Sequence, residues 1–303
     1  MNVRASIQAC RPRQWSKNLL VFSTPLFAFT VDKNTWLDAS GSLIAFCLIS
    51  SAVYLLNDSL DVEADRHHPR KRYRPIAAGL VSVPLALTSS ALLAVISLTL
   101  AAAVTASLAG VILAYGLIQV GYCLRLKQEP LLDLLCISAG FLLRAMAGGV
   151  AAGLAVSPWF LLTVGLLALF LAVEKRKAEL QIAQDHDVMT RQVLARYSLP
   201  FLLRMEGLVS TSAFMSYSLW AAGPSLNGAS TSWMLLTVPF VLVGIFRYLF
   251  LSDPEETERR SSLFPDRTSE KPEEILLGDR GIKLTLLGWL ITTVLIGVLS
   301  HAG

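Results

Sequence analysis

The chain has 303 residues, of which 54% are hydrophobic and only 16% are charged. A water-soluble protein of this length would be about half apolar but about a quarter charged. The shortage of charge therefore argues against a soluble enzyme, a disordered chain and a secreted disulfide scaffold, and it indicates an integral membrane protein. The net charge of +4 is too small to indicate a nucleic-acid partner.

Nine apolar segments with few charges follow one another along the chain. A helix that crosses a bilayer needs about 20 predominantly apolar residues, and Pro25 in the first segment can be accommodated as a kink. The sequence therefore predicts an all-α fold, a bundle of nine transmembrane helices that forms a single domain over residues 1–303. The segments lie at about 18–31, 40–56, 81–104, 107–124, 131–153, 157–173, 200–222, 232–251 and 283–301.

The basic residues predict the orientation of this bundle. With nine spans, 22 of the 26 Lys and Arg residues fall on one side of the membrane, and only Lys33 falls in a loop on the other. Basic residues mark the cytoplasmic side, so we expect the N-terminus in the cytoplasm. The predicted cytoplasmic loops lie at about 57–79, 125–130, 174–199 and 252–282.

The strongest motif follows the second span, in the sequence NDSLDVEADRHHPRKRYRPIAAG. Asn57, Asp61 and Asp65 are spaced four residues apart, so on a helix their side chains form one oxygen-rich ridge. Mg²⁺ prefers one or two carboxylates together with substrate phosphates. We therefore predict Asn57, Asp61 and Asp65 as metal ligands, with Asp58 and Glu63 pointing elsewhere. The alternative is an ordinary charged end of a membrane helix.

Five basic residues follow this acidic ridge, and the last three of them are Lys71, Arg72 and Arg74. Acid beside base is the arrangement expected for a metal–diphosphate complex, because the acids hold Mg²⁺ while the basic groups neutralise the remaining phosphate oxygens. We therefore predict that these three residues bind phosphate.

A second charged cluster, EKRKAEL, lies where the sixth span ends. Glu179 is three residues from Arg176 and four from Lys175, so the three side chains can share one face of a helix. One interpretation is a second contact for an anionic ligand. The other is a basic stop signal for a membrane helix with local ion pairs.

Four further residues are candidates for lining the cytoplasmic opening of the bundle, which we call the inner mouth. Arg144 lies deep in the fifth span, where a charge is costly and usually faces the bundle interior or a polar cavity. Its small neighbours allow either close helix packing or room for a ligand. Lys17, Tyr122 and Lys127 lie at span ends that could reach the same mouth, although each is also typical of interfacial anchoring.

Taken together, these motifs resemble the UbiA prenyltransferase superfamily. The segments RPRQWSKNLLVFSTPL, YCLRLK, LRAMAGGVA, FRYLF and EEILLGDR, with the two charged motifs above, look like its decaprenyl-phosphate phosphoribosyltransferase branch. Prenyltransferases of the superfamily have a second D-x-x-x-D motif after the sixth span. Here that region reads EKRKAEL, with Asp185 and Asp187 later, which favours the phosphoribosyl branch.

The resemblance implies a Mg²⁺-dependent transfer of 5-phosphoribosyl from 5-phosphoribosyl 1-diphosphate to a polyprenyl phosphate, for synthesis of cell-envelope glycan precursors. It implies a location in the bacterial inner membrane, with the active site facing the cytoplasm. Asp61, Asp65 and Lys175 are the catalytic candidates. The substrate-binding candidates are Lys17, Lys71, Arg72, Arg74, Tyr122, Lys127, Arg144, Lys175, Arg176 and Glu179.

Two alternatives remain open at this point. The nearest is a related prenyltransferase that moves a polyprenyl group from its diphosphate to an aromatic or other small acceptor. A transporter is a different class, but it would have ionisable residues near the midplane of several spans, and here Arg144 is the only clear case. The oligomeric state is open, with a homo-oligomer among the candidates.

Overall fold

The computed structural model describes residues 3–68, 71–186, 192–253, 255–256, 259 and 278–302. Within these ranges the chain is helical and contains no strand, which confirms the predicted all-α class. The α-helices are α1 Val3–Ala9, α2 Ser23–Phe27, α3 Lys33–Leu60, α4 Val62–His67, α5 Val83–Val104, α6 Ala106–Leu124, α7 Leu132–Ala151, α8 Pro158–His186, α9 Leu199–Ala221, α10 Val238–Leu251 and α11 Arg280–Ala302. Short 3₁₀ helices lie at Pro12–Phe22, Lys71–Tyr73, Leu126–Gln128, Gln192–Arg196, Pro224–Leu226 and Ser232–Thr237.

Seven helices of the described chain are long and apolar enough to cross a membrane. On α5, for example, the side chains of Leu92 and Val95 are about 60% exposed, as expected of a helix surrounded by lipid. The protein is therefore an integral membrane protein. These helices lie at Lys33–Leu60, Val83–Val104, Ala106–Leu124, Leu132–Ala151, Pro158–Gln181, Ser232–Leu251 and Arg280–Ser300.

The first predicted span, 18–31, is not one of these seven helices. The chain there forms the 3₁₀ helix Pro12–Phe22 and then the five-residue helix α2. Pro25 lies in the first turn of α2, where its missing backbone N–H is tolerated, but it cannot donate back to the Val21 carbonyl, so the hydrogen bonding of the preceding helix is interrupted here.

This N-terminal segment, residues 11–27, nevertheless runs along α3 in the opposite direction. Arg11 pairs with Asp58 near the end of α3, and the Phe22 ring stacks on Trp36 near its start, with 5.9 Å between ring centroids. Between these points Asn18 donates to the Ser50 hydroxyl at 3.3 Å. Residues 11–22 therefore lie beside most of the length of α3, a helix long enough to cross a bilayer.

The predicted span 200–222 corresponds to α9, which is long enough but not apolar enough to be one of the seven. Arg204, Glu206 and several hydroxyl side chains lower its mean hydropathy. The helix packs against α8 through polar contacts at both ends. Lys177 pairs with Glu206 at 2.6 Å, and Thr163 donates to Ser216 at 3.0 Å.

The chain divides into two compact units, Met1–Val156 and Ser157–Gly303. The core of the first unit joins α3, α5, α6 and α7 through buried side chains that include Phe46, Leu108 and Ile112. The core of the second unit joins α8, α9, α10 and α11 around Phe170 and Tyr248, whose rings meet edge to face at 5.3 Å. The assignment of residues 1–303 to one domain stays a prediction.

Glycines on α7 allow the N-terminal segment to pack closely against this helix. A Cβ added at Gly148 would lie 1.8 Å from the carbonyl oxygen of Val21, and one at Gly149 would lie 2.7 Å from the Thr24 side chain. The Thr24 hydroxyl donates to the Ala145 carbonyl at 3.0 Å. Of the two roles expected for the small residues beside Arg144, Gly148 and Gly149 therefore serve close packing.

Candidate active site

The predicted acidic ridge lies at the junction between α3 and α4. The helix changes geometry at Asp61, between the two elements, but the hydrogen bonds from Asp61 N to Asn57 O (3.0 Å) and from Asp65 N to Asp61 O (2.8 Å) continue the helical pattern. The four-residue spacing used in the prediction is therefore preserved, and the side chains of Asn57, Asp61 and Asp65 follow one another along the helix.

The acids of this ridge differ in exposure and in partner. The Asp61 side chain is 31% exposed and accepts from the Lys127 ammonium at 2.6 Å. The Asp65 side chain is only 4% exposed and accepts from Arg74 Nη1 at 2.6 Å. The structure thus brings together four of the predicted site residues, and Asp61 is the more accessible of the two acids.

Asp58, which was expected to point elsewhere, is the most enclosed acid of the group. It is 2% exposed and accepts from Arg11 Nη2 at 2.6 and 2.8 Å and from Arg74 Nη1 at 3.1 Å. The four-residue spacing that selected Asn57, Asp61 and Asp65 in the sequence does not include Asp58. Asp58 and Asp65 are seven residues apart, and two helical turns return a side chain to nearly the same face. That spacing was the available signal.

The three residues predicted to bind phosphate in the basic segment after the ridge differ in their exposure and in their partners. Arg74 lies against the acids, as described above. Arg72 is exposed, and its guanidinium lies over the Tyr73 ring at 4.9 Å and donates to the Tyr73 hydroxyl at 2.8 Å. Lys71 is half-buried, and its backbone N–H donates to His68 Nδ1 at 3.3 Å.

Arg144 is a buried cation without an acidic partner in the described part of the chain. It is 6% exposed, and it donates from Nε to Asn18 Oδ1 at 2.8 Å and from Nη2 to the Tyr115 hydroxyl at 2.7 Å. Its guanidinium also lies over the rings of Tyr115, Phe141 and Phe46 at 4.9, 5.5 and 5.9 Å. Amide, hydroxyl and aromatic groups thus stabilise this charge in place of a carboxylate. The predicted neighbours Lys17 and Tyr122 are both half-buried.

In the second unit the EKRKAEL cluster is largely enclosed. Arg176 is 1% exposed and donates to Glu179 at 2.5 Å, so these two residues do share a face as predicted. Lys177 is also 1% exposed and pairs with Glu174 at 3.0 Å and with Glu206 at 2.6 Å.

Sequence spacing could not find the Lys177–Glu206 pair, because Glu206 lies on a different helix, 29 residues away. Lys175, the catalytic candidate of this cluster, is half-buried. Asp187 lies outside the described residues.

The donor set at the end of α3 fits a magnesium ion. The described residues contain no group of three or more His, Cys, Asp or Glu side chains that could hold a metal by themselves. Mg²⁺ needs no such cage, because it usually takes one or two carboxylates and completes its shell with water and substrate phosphate. Asn57 and the two ridge acids supply oxygen donors of this kind.

Asp279, beside the last helix, caps α11 and pairs with Arg247. Its Oδ1 accepts from the backbone N–H of Ile282 at 2.8 Å, and its Oδ2 accepts from Arg247 Nη2 at 2.9 Å. The hydrogen bond from Arg247 lowers the pKa of Asp279. Most of the predicted loop 252–282 lies outside the described residues.

The second unit also contains an apolar cavity of about 310 Å³ among α8, α9, α10 and α11. Leu171, Phe240 and Leu286 are among its lining residues. The polar atoms of the lining residues Tyr217 and Trp289 bond to each other at 2.8 Å, and the Tyr217 hydroxyl also bonds Thr237 at 2.6 Å. Such a cavity suits a hydrocarbon ligand.

A model of the UbiA prenyltransferase family matches residues 19–268. Over nearly its full length the chain is also similar to decaprenyl-phosphate phosphoribosyltransferases. It is 40% identical to the one from Mycolicibacterium smegmatis (96% of this chain, 91% of the relative) and 36% identical to the one from Corynebacterium glutamicum (95% and 85%). The protein of that name from Mycobacterium tuberculosis is 38% identical (96% and 93%).

Solved structures of low sequence identity have the same fold. A UbiA homologue from Archaeoglobus fulgidus bound to GPP and Mg²⁺ aligns with a TM-score of 0.67 at 17% identity, covering 98% of both chains. A digeranylgeranylglyceryl phosphate synthase aligns with a TM-score of 0.68 at 15% identity, covering 96% of this chain and 98% of the other. At these identities the likeness concerns the fold alone.

Proposed function

This chain belongs to the UbiA prenyltransferase family, and on that premise we propose that it transfers the 5-phosphoribosyl group of 5-phosphoribosyl 1-diphosphate to a polyprenyl phosphate. The observation that supports this most directly is the full-length similarity, at 36–40% identity, to proteins named decaprenyl-phosphate phosphoribosyltransferase. The basic EKRKAEL segment is consistent with it, since a second acidic motif is absent there.

The reaction needs no general base. A polyprenyl phosphate is anionic near neutral pH, so one of its oxygens can attack C1 of the ribose directly. A new C1–O bond forms, the bond from C1 to diphosphate breaks, and the diphosphate leaves with the electron pair. Attack from the face opposite the leaving group inverts C1. The barrier therefore lies in the charge that develops on the departing diphosphate.

Asn57, Asp61 and Asp65 are the residues that would hold Mg²⁺, because they supply oxygen donors along one helix. The Archaeoglobus fulgidus homologue of the same fold is bound to this ion. When bound to Asn57, Asp61 and Asp65, the ion would stabilise negative charge on the leaving diphosphate. The Lys127 ammonium pairs with the partly exposed Asp61 carboxylate at 2.6 Å, so it keeps this acid ordered at the end of α3.

The basic candidates are proposed as phosphate contacts. Lys71, Arg72 and Arg74 lie within the first unit, directly after the ridge, and we assign to them the diphosphate and the 5-phosphate. We propose the same role for Lys175 and Arg176, with Glu179 orienting Arg176. Lys17, Tyr122, Lys127 and Arg144 complete the proposed binding set at the inner mouth. The apolar cavity of the second unit is our proposed site for part of the polyprenyl chain.

We further propose nine crossings with the N-terminus in the cytoplasm of a bacterial inner membrane. The N-terminal segment runs beside α3, and α9 runs beside α8, so each accompanies a helix of spanning length. If only the seven apolar helices crossed the membrane, the basic residues before α3 and those between α10 and α11 would lie on the opposite side from the remaining basic loop residues. If the N-terminal segment and α9 also cross, 22 basic residues lie on one side.

A labelled-lipid assay tests the proposed function. Purified protein in detergent receives phosphoribosyl diphosphate labelled in the ribose, a polyprenyl phosphate and Mg²⁺, and the lipid fraction is extracted. We expect label in the lipid and release of diphosphate, both lost when EDTA replaces Mg²⁺. Label that enters lipid only from prenyl diphosphate and an aromatic acid would overturn the proposal in favour of a prenyltransferase.

A further inference from the structure

Four side chains at the end of α3 form a continuous set of ion pairs that we call the N-terminal clasp: Arg11, Asp58, Arg74 and Asp65. Arg11 Nη2 donates to both oxygens of Asp58 at 2.6 and 2.8 Å. Arg74 Nη1 donates to Asp58 at 3.1 Å and to Asp65 at 2.6 Å. Positive and negative groups alternate along this set, so its charges cancel within the protein.

Burial makes the clasp a fixed part of the fold. The side chains of Asp58 and Asp65 are 3% and 4% exposed, and those of Arg11 and Arg74 are 28% and 25% exposed. A carboxylate that is this enclosed must be paired and hydrogen-bonded, because removing its partner leaves a buried charge. Of the two acids proposed as metal ligands, Asp61, at 31% exposure, is the more accessible and lies outside the clasp.

The clasp connects three parts of the chain. Arg11 has a left-handed backbone with φ of 53° and joins α1 to the 3₁₀ helix Pro12–Phe22. Its guanidinium also lies over the Tyr54 ring at 4.8 Å, and the carbonyl of Cys10 beside it accepts from Ser51 at 3.1 Å. Arg74 ends the basic segment 71–74. Asp58 is the one residue of α3 that bonds both arginines.

We propose that Asp58 is a positioning residue that contacts no substrate and acts through Arg11 and Arg74. It holds the N-terminal segment and the basic segment 71–74 in place over the end of α3. Among the described residues only Nη1 of Arg74 takes part in the clasp, so its remaining N–H groups stay available for a phosphate oxygen. The proposal rests on the proposed function, since phosphoribosyl diphosphate is the ligand that segment 71–74 would meet.

Cys10 provides a natural reporter of the clasp. It is free and half-buried, and burial raises the pKa of its thiol, so alkylation is slow while the segment is held in place. The full chain is treated with iodoacetamide in detergent, and modification of Cys10 is followed by mass spectrometry. We expect Asp58→Asn to speed alkylation about tenfold. Glu63→Gln removes a surface pair with Arg66 (2.7 Å) and is the matched control, expected to change nothing.

Steady-state kinetics supply the second measurement. We expect Asp58→Asn to raise KM for phosphoribosyl diphosphate about tenfold while kcat stays within about twofold of the original value. Arg11→Met should act in the same direction and should add little in the double variant, because both changes break one contact. Arg11→Lys should recover part of the loss. Should Asp58→Asn fail to fold, Arg11→Met serves for both measurements.

Two results would overturn the proposal. One is an unchanged rate of Cys10 alkylation in the variants that fold. The other is a collapse of kcat with a raised Mg²⁺ requirement in Asp58→Asn, which would make Asp58 a metal ligand. A wild-type protein that transfers no phosphoribosyl group would contradict the proposed function, while the alkylation rates would still decide whether the clasp exists.

Discussion

The end of α3 and the C-terminal half of α8 are both rich in acids and bases, but the two regions differ in how their charges are paired and exposed. At the end of α3, the ion pairs join residues far apart in sequence, such as Lys127 and Asp61, and leave Asp61 partly exposed. In the C-terminal half of α8, Glu174, Arg176 and Lys177 are almost fully buried. Similar residue types thus leave one acid, Asp61, partly open to a ligand in the first region, whereas in the second region most of the charged groups are enclosed.

The largest effect is expected from breaking the buried ion pairs in the C-terminal half of α8. Lys177→Met would leave Glu174 and Glu206 without their shared cation, and removal of one partner of a buried ion pair costs about 3–5 kcal/mol. We expect a strong loss of thermal stability in detergent, measured by intrinsic fluorescence.

The control for this change is Glu63→Gln, which removes an exposed ion pair and should cost less than about 1 kcal/mol. A Lys177→Met protein as stable as the original would mean that this cluster does not support the fold.

Asp61→Asn tests the accessible end of the comparison. The substitution keeps the shape of the side chain but removes the charge proposed to bind Mg²⁺, so we expect the transfer rate to fall about 10²–10³-fold. The unfolding temperature should change little, because this side chain is partly exposed. The labelled-lipid assay measures the rate. Near-normal turnover would remove Asp61 from the metal site.

A third variant tests the close packing of the N-terminal segment against α7. Gly148→Ala would place a Cβ 1.8 Å from the Val21 carbonyl oxygen, so the segment must move, at a cost of about 1–3 kcal/mol. We expect a lower unfolding temperature and faster alkylation of Cys10. Gly110→Ala is the matched control, since nothing lies within 4 Å of its added Cβ. Equal behaviour of the two variants would contradict the packing described here.

The smallest effect concerns Asp279 and the pH dependence of stability. The Arg247 hydrogen bond lowers the pKa of Asp279, so this group stabilises the folded protein above the unfolded pKa of about 3.9. The stabilisation is lost as pH falls through the lower, folded pKa. The Arg247 side chain is 43% exposed, so we expect less than about 1 kcal/mol. Unfolding temperatures between pH 3 and 7 should drop less for Asp279→Asn than for the original, and parallel curves would contradict this.

Much of the α3 site was predictable because it depends on local spacing. Asn57, Asp61 and Asp65 follow from a four-residue period on a helix that continues through the irregularity at Asp61. The Lys127–Asp61 pair was not predictable, because spacing says nothing about contacts 66 residues apart.

Contacts between residues far apart in the chain also explain the other differences between the predicted and the observed structure. Composition and length predicted a helical membrane protein, but not that the chain beyond Pro12 forms a 3₁₀ helix against α7. That geometry depends on Gly148, more than 120 residues later. The burial of Lys177 likewise depends on Glu206 from the next helix.

The pairing of Asn18 with Arg144 has a consequence for assembly in the membrane. The side chain of Asn18 is fully enclosed, and Arg144, which donates to it, is synthesised 126 residues later. Thr24 similarly bonds a carbonyl 121 residues ahead. The N-terminal segment therefore completes these two polar contacts only after α7 has been synthesised, so it is among the last pieces of its unit to reach its final packing.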